Sequence, residues 1–161
     1  MSTPFPGAYA PELRVSEWLN TRDAPTLAAL RGQVVLLHFF QMLCPGCVNH
    51  AVPQTQKVFA GVRHPKLSVL GIHSVFEHHD VMTPDALRVF AHEFRLSFPI
   101  GIDARDPEAR IPHTMRDHGL EGTPSTVLVG ADGRIRLHAF GRVEDLALGL
   151  ALGEALAEAS R

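Results

Sequence analysis

Val34-Val35-Leu36-Leu37-His38-Phe39-Phe40 is a continuous apolar run broken only by His38. Its β-branched and aromatic content reads as a strand, and the absence of alternation means that both of its faces are buried. A strand covered on both sides needs helices above and below it, which points to an α/β sheet. The run leads through Gln41-Met42-Leu43 into Cys44-Pro45-Gly46-Cys47, which holds the only two cysteines of the chain. A helix-like stretch follows. A cysteine at a helix N-terminus faces unpaired backbone N–H groups and the positive end of the helix dipole, which favour a thiolate. A second cysteine within one turn can close a disulfide, so the pair can carry two electrons.

The rest of the chain alternates in the same way. Residues 1–12 are rich in Pro and Ala and read as a loose arm, leaving 13–161 as one α/β domain. Trp18-Leu19-Asn20 reads as a short edge strand and Thr26–Leu30 as a helical turn. A helix runs from about Cys47 to Ala60, with Pro53 inside it as a kink. Leu67–Ser74 is a second buried strand. Thr83-Pro84-Asp85 opens a helix, with Thr83 as N-cap and Pro84 in the first turn. Phe98–Ile102 is a strand, Pro112–His118 a short helix stopped by Gly119, and Ser125–Val129 a strand. Gly130-Ala131-Asp132-Gly133 is a hairpin turn, Arg134–Phe140 the return strand, and Val143–Ala159 a final helix. The order β-α-β-α-β-α-β-β-α implies a largely parallel sheet with an antiparallel pair at its end.

Composition narrows the function. With 161 residues, the chain is long enough to bury a sizeable core. A net charge of −2 offers no electrostatic footprint for nucleic acid or an anionic membrane. No apolar run approaches the ~20 residues that span a bilayer. The N-terminus has no basic start followed by an apolar stretch, so the expected location is the cytoplasm. A periplasmic protein whose leader had been removed would read the same. In a reducing compartment, a lone close cysteine pair is more often catalytic or metal-binding than structural.

Four features, in order, resemble the thioredoxin-fold redoxins, and within them the TlpA/ResA-like thiol–disulfide oxidoreductases, with AhpC/TSA peroxiredoxins as more distant relatives. They are the buried strand leading into Cys44-Pro45-Gly46-Cys47, Pro53 in the following helix, the unit from Gly71 to Asp103, and Gly122-Thr123-Pro124-Ser125 before a strand. The resemblance implies a thioredoxin-like α/β fold: a central mixed sheet, helices on both faces and a TlpA-type strand–helix insertion. Three departures stand out. Leu43 replaces the usual Trp before the first cysteine, Pro53 lies one residue further from the motif, and Gln41-Met42-Leu43 is atypical.

The same resemblance assigns roles. Cys44 is the attacking thiolate and Cys47 the resolving thiol. Glu77 stands where the subfamily carries an active-site glutamate that shuttles the Cys47 proton, the bland alternative being a solvated loop carboxylate. Thr123 and a cis Pro124 bind substrate backbone beside Cys44, together with Pro45, Gly46 and Leu43. The redox-active Cys44–Cys47 disulfide replaces any other cofactor. The partners implied are a protein or small-molecule disulfide and an upstream reductant, with the chain a monomer or weak dimer serving redox homeostasis.

Two other functions stay open. In a thiol peroxidase, Cys44 would attack a peroxide and condense with Cys47, but Gln41-Met42-Leu43 places no hydroxyl next to Cys44. A metal-handling module would use Cys44, Cys47 and His50, where zinc's usual fourth ligand is not evident, so no metal site is assigned. The cluster Glu77-His78-His79-Asp80 has metal-binding side chains, but neighbours on an extended chain point apart. His38 and His73 read as core histidines satisfied by backbone. Phe39, Phe40, Phe59, Phe90 and Phe94 read as core, and Met42 and Leu43 as an exposed apolar rim.

Overall fold

The computed structural model describes residues 5–161. Six strands form one sheet: β1 (Val15–Leu19), β2 (Val34–Phe40), β3 (Leu67–His73), β4 (Ile100–Asp103), β5 (Ser125–Val129) and β6 (Ile135–Phe140). Four helices accompany them: α1 (Val52–Gly61), α2 (Pro84–Glu93), α3 (His113–Asp117) and α4 (Asp145–Ala159). The strand order is β1-β4-β3-β2-β5-β6. β2 lies parallel to β3 and antiparallel to β5, while β1 and β6 are antiparallel edges. The sheet is therefore mixed, and β2 sits inside it, with every residue buried.

The strand's two faces meet different partners. Val34 and Leu36 pack under Val58 of α1 and Leu148, Leu152 and Ala155 of α4. Leu37 and Phe39 face Leu13, Leu27, Ile72 and Val127, and the Phe39 ring touches His118 just beyond α3. At the C-terminal end of β2, Phe40 joins Met42, Cys47, Leu87, Ala91 and Phe98 in a cluster that seats α2 beside the cysteine pair. The unit β3–α2–β4 is the strand–helix insertion, and α2 begins as its sequence reads, with the Thr83 hydroxyl accepting from the Ala86 N–H at 3.2 Å.

The described part of the proline-rich arm is tied to the β6 hairpin. Gly7 donates to Ile135 O at 2.7 Å and Ala10 to Gly133 O at 3.0 Å, and Arg134 lies over the Tyr9 ring. Residues 1–4 of the arm lie outside the described residues.

The kink expected at Pro53 takes a different form. Residues Cys47–Ala51 make a π-helical turn, in which the Val52 N–H reaches back to Cys47 O, and α1 starts afresh with Pro53 in its first turn. Proline is accommodated directly after this turn, where the regular i→i−4 pairing is already interrupted. A wide turn rather than a bend therefore lies between Cys47 and Pro53.

Candidate active site

The site forms where β2 ends. Its backbone makes a turn, with Cys44 N–H donating to Gln41 O at 3.1 Å. A helical segment then begins at Pro45. Pro45 suits a first helical position, because its missing N–H would have no partner there. Cys44 therefore stands at the helix tip, half-buried, and its Sγ accepts the Cys47 N–H at 3.3 Å. That N–H belongs to the unpaired set at a helix start, so the sulfur occupies the place where a negative charge is favoured.

Cys47 lies one turn inside and is fully buried. Both cysteines are free thiols, and the Cys47 Sγ donates to the Cys44 Sγ at 2.7 Å. Burial pushes the Cys47 thiol up to about 12, and its hydrogen bond to Cys44 pushes the same way; the Gln41 backbone and the Thr123 hydroxyl pull against them. The two sulfurs are thus unequal: one is accessible at a helix N-terminus and the other holds its proton.

The Thr123–Pro124 peptide is cis. It sets the Thr123 carbonyl 3.5 Å from the Cys44 Sγ, which donates to it as a thiol. Gly46 faces the Pro124 ring so closely that a Cβ would sit 3.4 Å from Pro Cδ. Phe140, the last residue of β6, covers Gly122 and is 59% exposed. Leu43, immediately before Cys44 in the chain, is 56% exposed. Cys44, Pro45, Gly46, Thr123 and Pro124 therefore converge, with Leu43 at their edge.

Met42 departs from the expected rim. It is buried, because its N–H donates to His73 Nε2 at 3.1 Å and its side chain joins the Phe40 cluster. His73 is thereby satisfied by backbone, and burial lowers its pKa to about 4. His38 is not satisfied: its Nε2 has no partner among the described residues, its ring stacks on Phe40, and burial with nearby His50 lowers its pKa to about 3. Two of the phenylalanines assigned to the core also lie elsewhere. Phe59 is partly exposed with its ring edge-on to Phe98, and Phe94 caps α2 at the surface, its ring tilted against Phe90.

Glu77 is exposed, not desolvated beside the dithiol, yet it is not free. Its Oε1 accepts from Gln41 Nε2 at 3.4 Å, and the same nitrogen lies 3.4 Å from Thr123 Oγ1. Gln41 itself is buried. Sequence reasoning marked it only as atypical; the available signal was a long polar side chain directly after a fully apolar strand.

The other candidate ligands are dispersed. His50 meets Val143 O at 3.0 Å, and His79 meets Arg110 O at 3.1 Å. Among the described residues, no three His, Cys, Asp or Glu side chains form a metal-binding group. No helix among them is long and apolar enough to cross a membrane.

Residues 6–138 match the AhpC/TSA family. A thiol-disulfide isomerase from Corynebacterium glutamicum has a crystal structure 51% identical to this chain, with a TM-score of 0.87, covering 92% of this chain and 97% of that one. A crystal structure of a thioredoxin-like superfamily protein is 46% identical, with a TM-score of 0.89, covering 92% and 96%. DipZ of Mycobacterium tuberculosis is 28% identical over 135 residues, 82% of this chain. The chain spans only 18% of the length of that protein. This chain belongs to the AhpC/TSA family, as a thioredoxin-fold redoxin and a thioredoxin-like oxidoreductase.

Proposed function

We propose that the protein exchanges dithiol for disulfide through Cys44-Pro45-Gly46-Cys47. The observation that carries this reading is the placing of an accessible Cys44 Sγ at a helix start, with a buried, protonated Cys47 behind it and the Thr123 carbonyl 3.5 Å away. The likeness to the 51%-identical thiol-disulfide isomerase supports the same chemistry.

The steps follow from the inequality of the two sulfurs. Cys44 thiolate attacks one sulfur of a substrate disulfide; that S–S bond breaks, and the first thiolate leaves and takes up a proton. The mixed disulfide on Cys44 is then attacked by Cys47, whose proton passes to Glu77. The Cys44–substrate bond breaks, the Cys44–Cys47 bond forms, and the second substrate thiol departs. Two electrons have moved from the protein to the substrate. The Thr123 backbone, next to Pro124, pairs with an extended substrate backbone, while Leu43, Pro45 and Gly46 provide the adjoining contact surface. An apolar Leu43 suits a protein substrate better than a small polar disulfide. In the cytoplasm the net direction is reduction of a protein or small-molecule disulfide, with an upstream thiol reductant closing the cycle. The chain would act as a monomer or weak dimer, and the cysteine pair would be its only redox group.

The test is trapping. Cys47→Ser should accumulate a stoichiometric mixed disulfide on Cys44 when mixed with an oxidised peptide, seen as a mass increase reversed by reductant, while Cys44→Ser should form none. Exchange by Cys44→Ser would overturn the assignment. Consumption of hydrogen peroxide much faster than of the peptide disulfide would replace the reading by that of a thiol peroxidase.

A further inference from the structure

The buried amide of Gln41 sits at the junction of three segments that the proposed exchange uses. Its Oε1 accepts the Phe76 N–H at 3.1 Å, which fixes the amide's orientation. The nitrogen must then face the other way, and Glu77 Oε1 and Thr123 Oγ1 each lie 3.4 Å from it, two long hydrogen bonds. An amide nitrogen has two donors and no acceptor, so both oxygens are matched to it. The Gln41 backbone carbonyl meanwhile holds the Cys44 N–H. On the far side of the same loop, Arg110 Nε donates to Phe76 O at 3.2 Å, so residue 76 is gripped from two directions. A side chain 99% removed from solvent that keeps every polar atom occupied is a built feature, since leaving any of them unmet inside the protein is unfavourable.

We infer that Gln41 is a positioning residue for the proton acceptor of the exchange, one buried amide holding the Phe76–Glu77 loop and the Glu77 carboxylate to the Thr123 hydroxyl, whose residue carries the carbonyl 3.5 Å from Cys44 Sγ. The inference rests on the exchange reading above and deepens it. Glu77 is exposed and its loop carries two further polar side chains, His78 and His79, so without a tether its carboxylate would sample solvent. Gln41 reduces that freedom at the moment Cys47 must lose its proton. The Thr123 hydroxyl, held by the same nitrogen, faces the Cys47 sulfur and supports it as charge develops there. Gln41 takes no proton itself: in the resolving step the Cys47 proton goes to Glu77, the Cys47 sulfur bonds to Cys44 and the substrate thiolate leaves.

The experiment follows both phases of one reaction. Reduced wild-type protein is mixed with a neutral, chromogenic dipyridyl disulfide in a stopped-flow instrument. The first pyridinethione reports attack by Cys44 and the second reports resolution by Cys47. Gln41→Met removes all the side chain's polar contacts at nearly constant shape. Gln41→Glu keeps an acceptor for the Phe76 N–H but repels Glu77. In both, the second phase should slow about tenfold at neutral pH, with the first phase within about twofold, a fraction of what a well-placed proton acceptor contributes. The pH at which the second phase reaches half its maximum should rise. In a Glu77→Gln background, adding Gln41→Met should slow the second phase by less than about twofold, because the two changes remove one function. A second phase unchanged in both Gln41 variants, or full additivity with Glu77→Gln, would overturn the inference while leaving exchange intact. Absence of both phases in the wild-type protein would instead defeat the exchange reading, and this inference with it.

Discussion

Cys47 should resist alkylation, and its resistance can be worked out. An ordinary thiol, with a pKa of about 8.5, is roughly 10% thiolate at pH 7.5. A thiol pushed up to about 12 has a thiolate fraction some 3,000-fold smaller. Part of this is returned, because a more basic thiolate is a better nucleophile; a Brønsted slope of about 0.45 over 3.5 pH units restores roughly 40-fold. The remaining deficit is about 75-fold, before any shielding by the surrounding side chains. The assay is a timed reaction of reduced protein with iodoacetamide, quenched in acid, with the two cysteines separated by proteolysis and mass spectrometry. Cys47 should label at least about 50-fold more slowly than the same cysteine in urea. Its pH dependence is the sharper readout. A thiol that keeps its proton to about 12 gains close to tenfold in rate per pH unit through pH 10, whereas one that is merely covered, and reacts only when the site opens, levels off near pH 9. Native-state labelling of Cys47 within fivefold of the unfolded rate, or a plateau near pH 9, would refute the argument that burial holds the proton.

Acid should unfold the protein early. Burial lowers the pKa of His38 to about 3 and those of His73 and His118 to about 4, while the unfolded chain titrates near 6.5, so the unfolded state binds more protons as pH falls. The stability held above pH 6.5 is lost at about 1.4 kcal/mol per histidine per pH unit, or about 4 kcal/mol for the three by pH 5.5. Asp103 works in the opposite sense, since burial raises its carboxyl and relieves the folded state as pH falls. Urea midpoints at pH 7.5 and 5.5 read the balance, and a flat profile would contradict it. Gly71→Ala should destabilise by about 1–3 kcal/mol, because a Cβ there would meet the buried Phe98 ring at 2.6 Å, within the rigid Phe40 cluster. An unfolding free energy within about 0.3 kcal/mol of wild type, from chemical denaturation, would mean that the ring moves aside.

The strands of this fold are legible because their periodicity is local. β2 and β5 match the expected residues end to end, since short β-branched, mostly apolar runs flanked by turn residues leave few choices, and the Thr83-Pro84 pair fixes the start of α2. Burial beyond the strands is less legible, because it depends on partners far away in sequence. Met42 goes inward because His73, on the neighbouring strand, offers an acceptor to its N–H. Phe94 goes outward because α2 ends there and the residue finds Phe90 instead of the sheet. Cys44 and Cys47 could be ranked as outer and inner sulfur from spacing alone, whereas the link from Glu77 through Gln41 to Thr123 joins residues 36 and 82 positions apart in the chain. Nothing in a linear pattern predicts that three such segments meet at one amide.

The π-helical turn ties the fold to the chemistry. Inserting one residue into a regular helix rotates everything after it by about 100°, which would turn either Cys47 or the sheet-facing residues of α1 away from the core. The wide turn at Cys47–Ala51 sets how α1 is rotated relative to Cys47. Cys47 stays buried above Phe40, and Val52, Thr55 and Val58 remain buried as well. The inner sulfur can therefore keep its proton, which in the proposed exchange leaves the outer one as the first nucleophile. On the proposed exchange, Cys47 cannot complete its step unless something receives that proton, a demand that a fully buried sulfur creates and that we assign to Glu77, linked through Gln41 to Thr123.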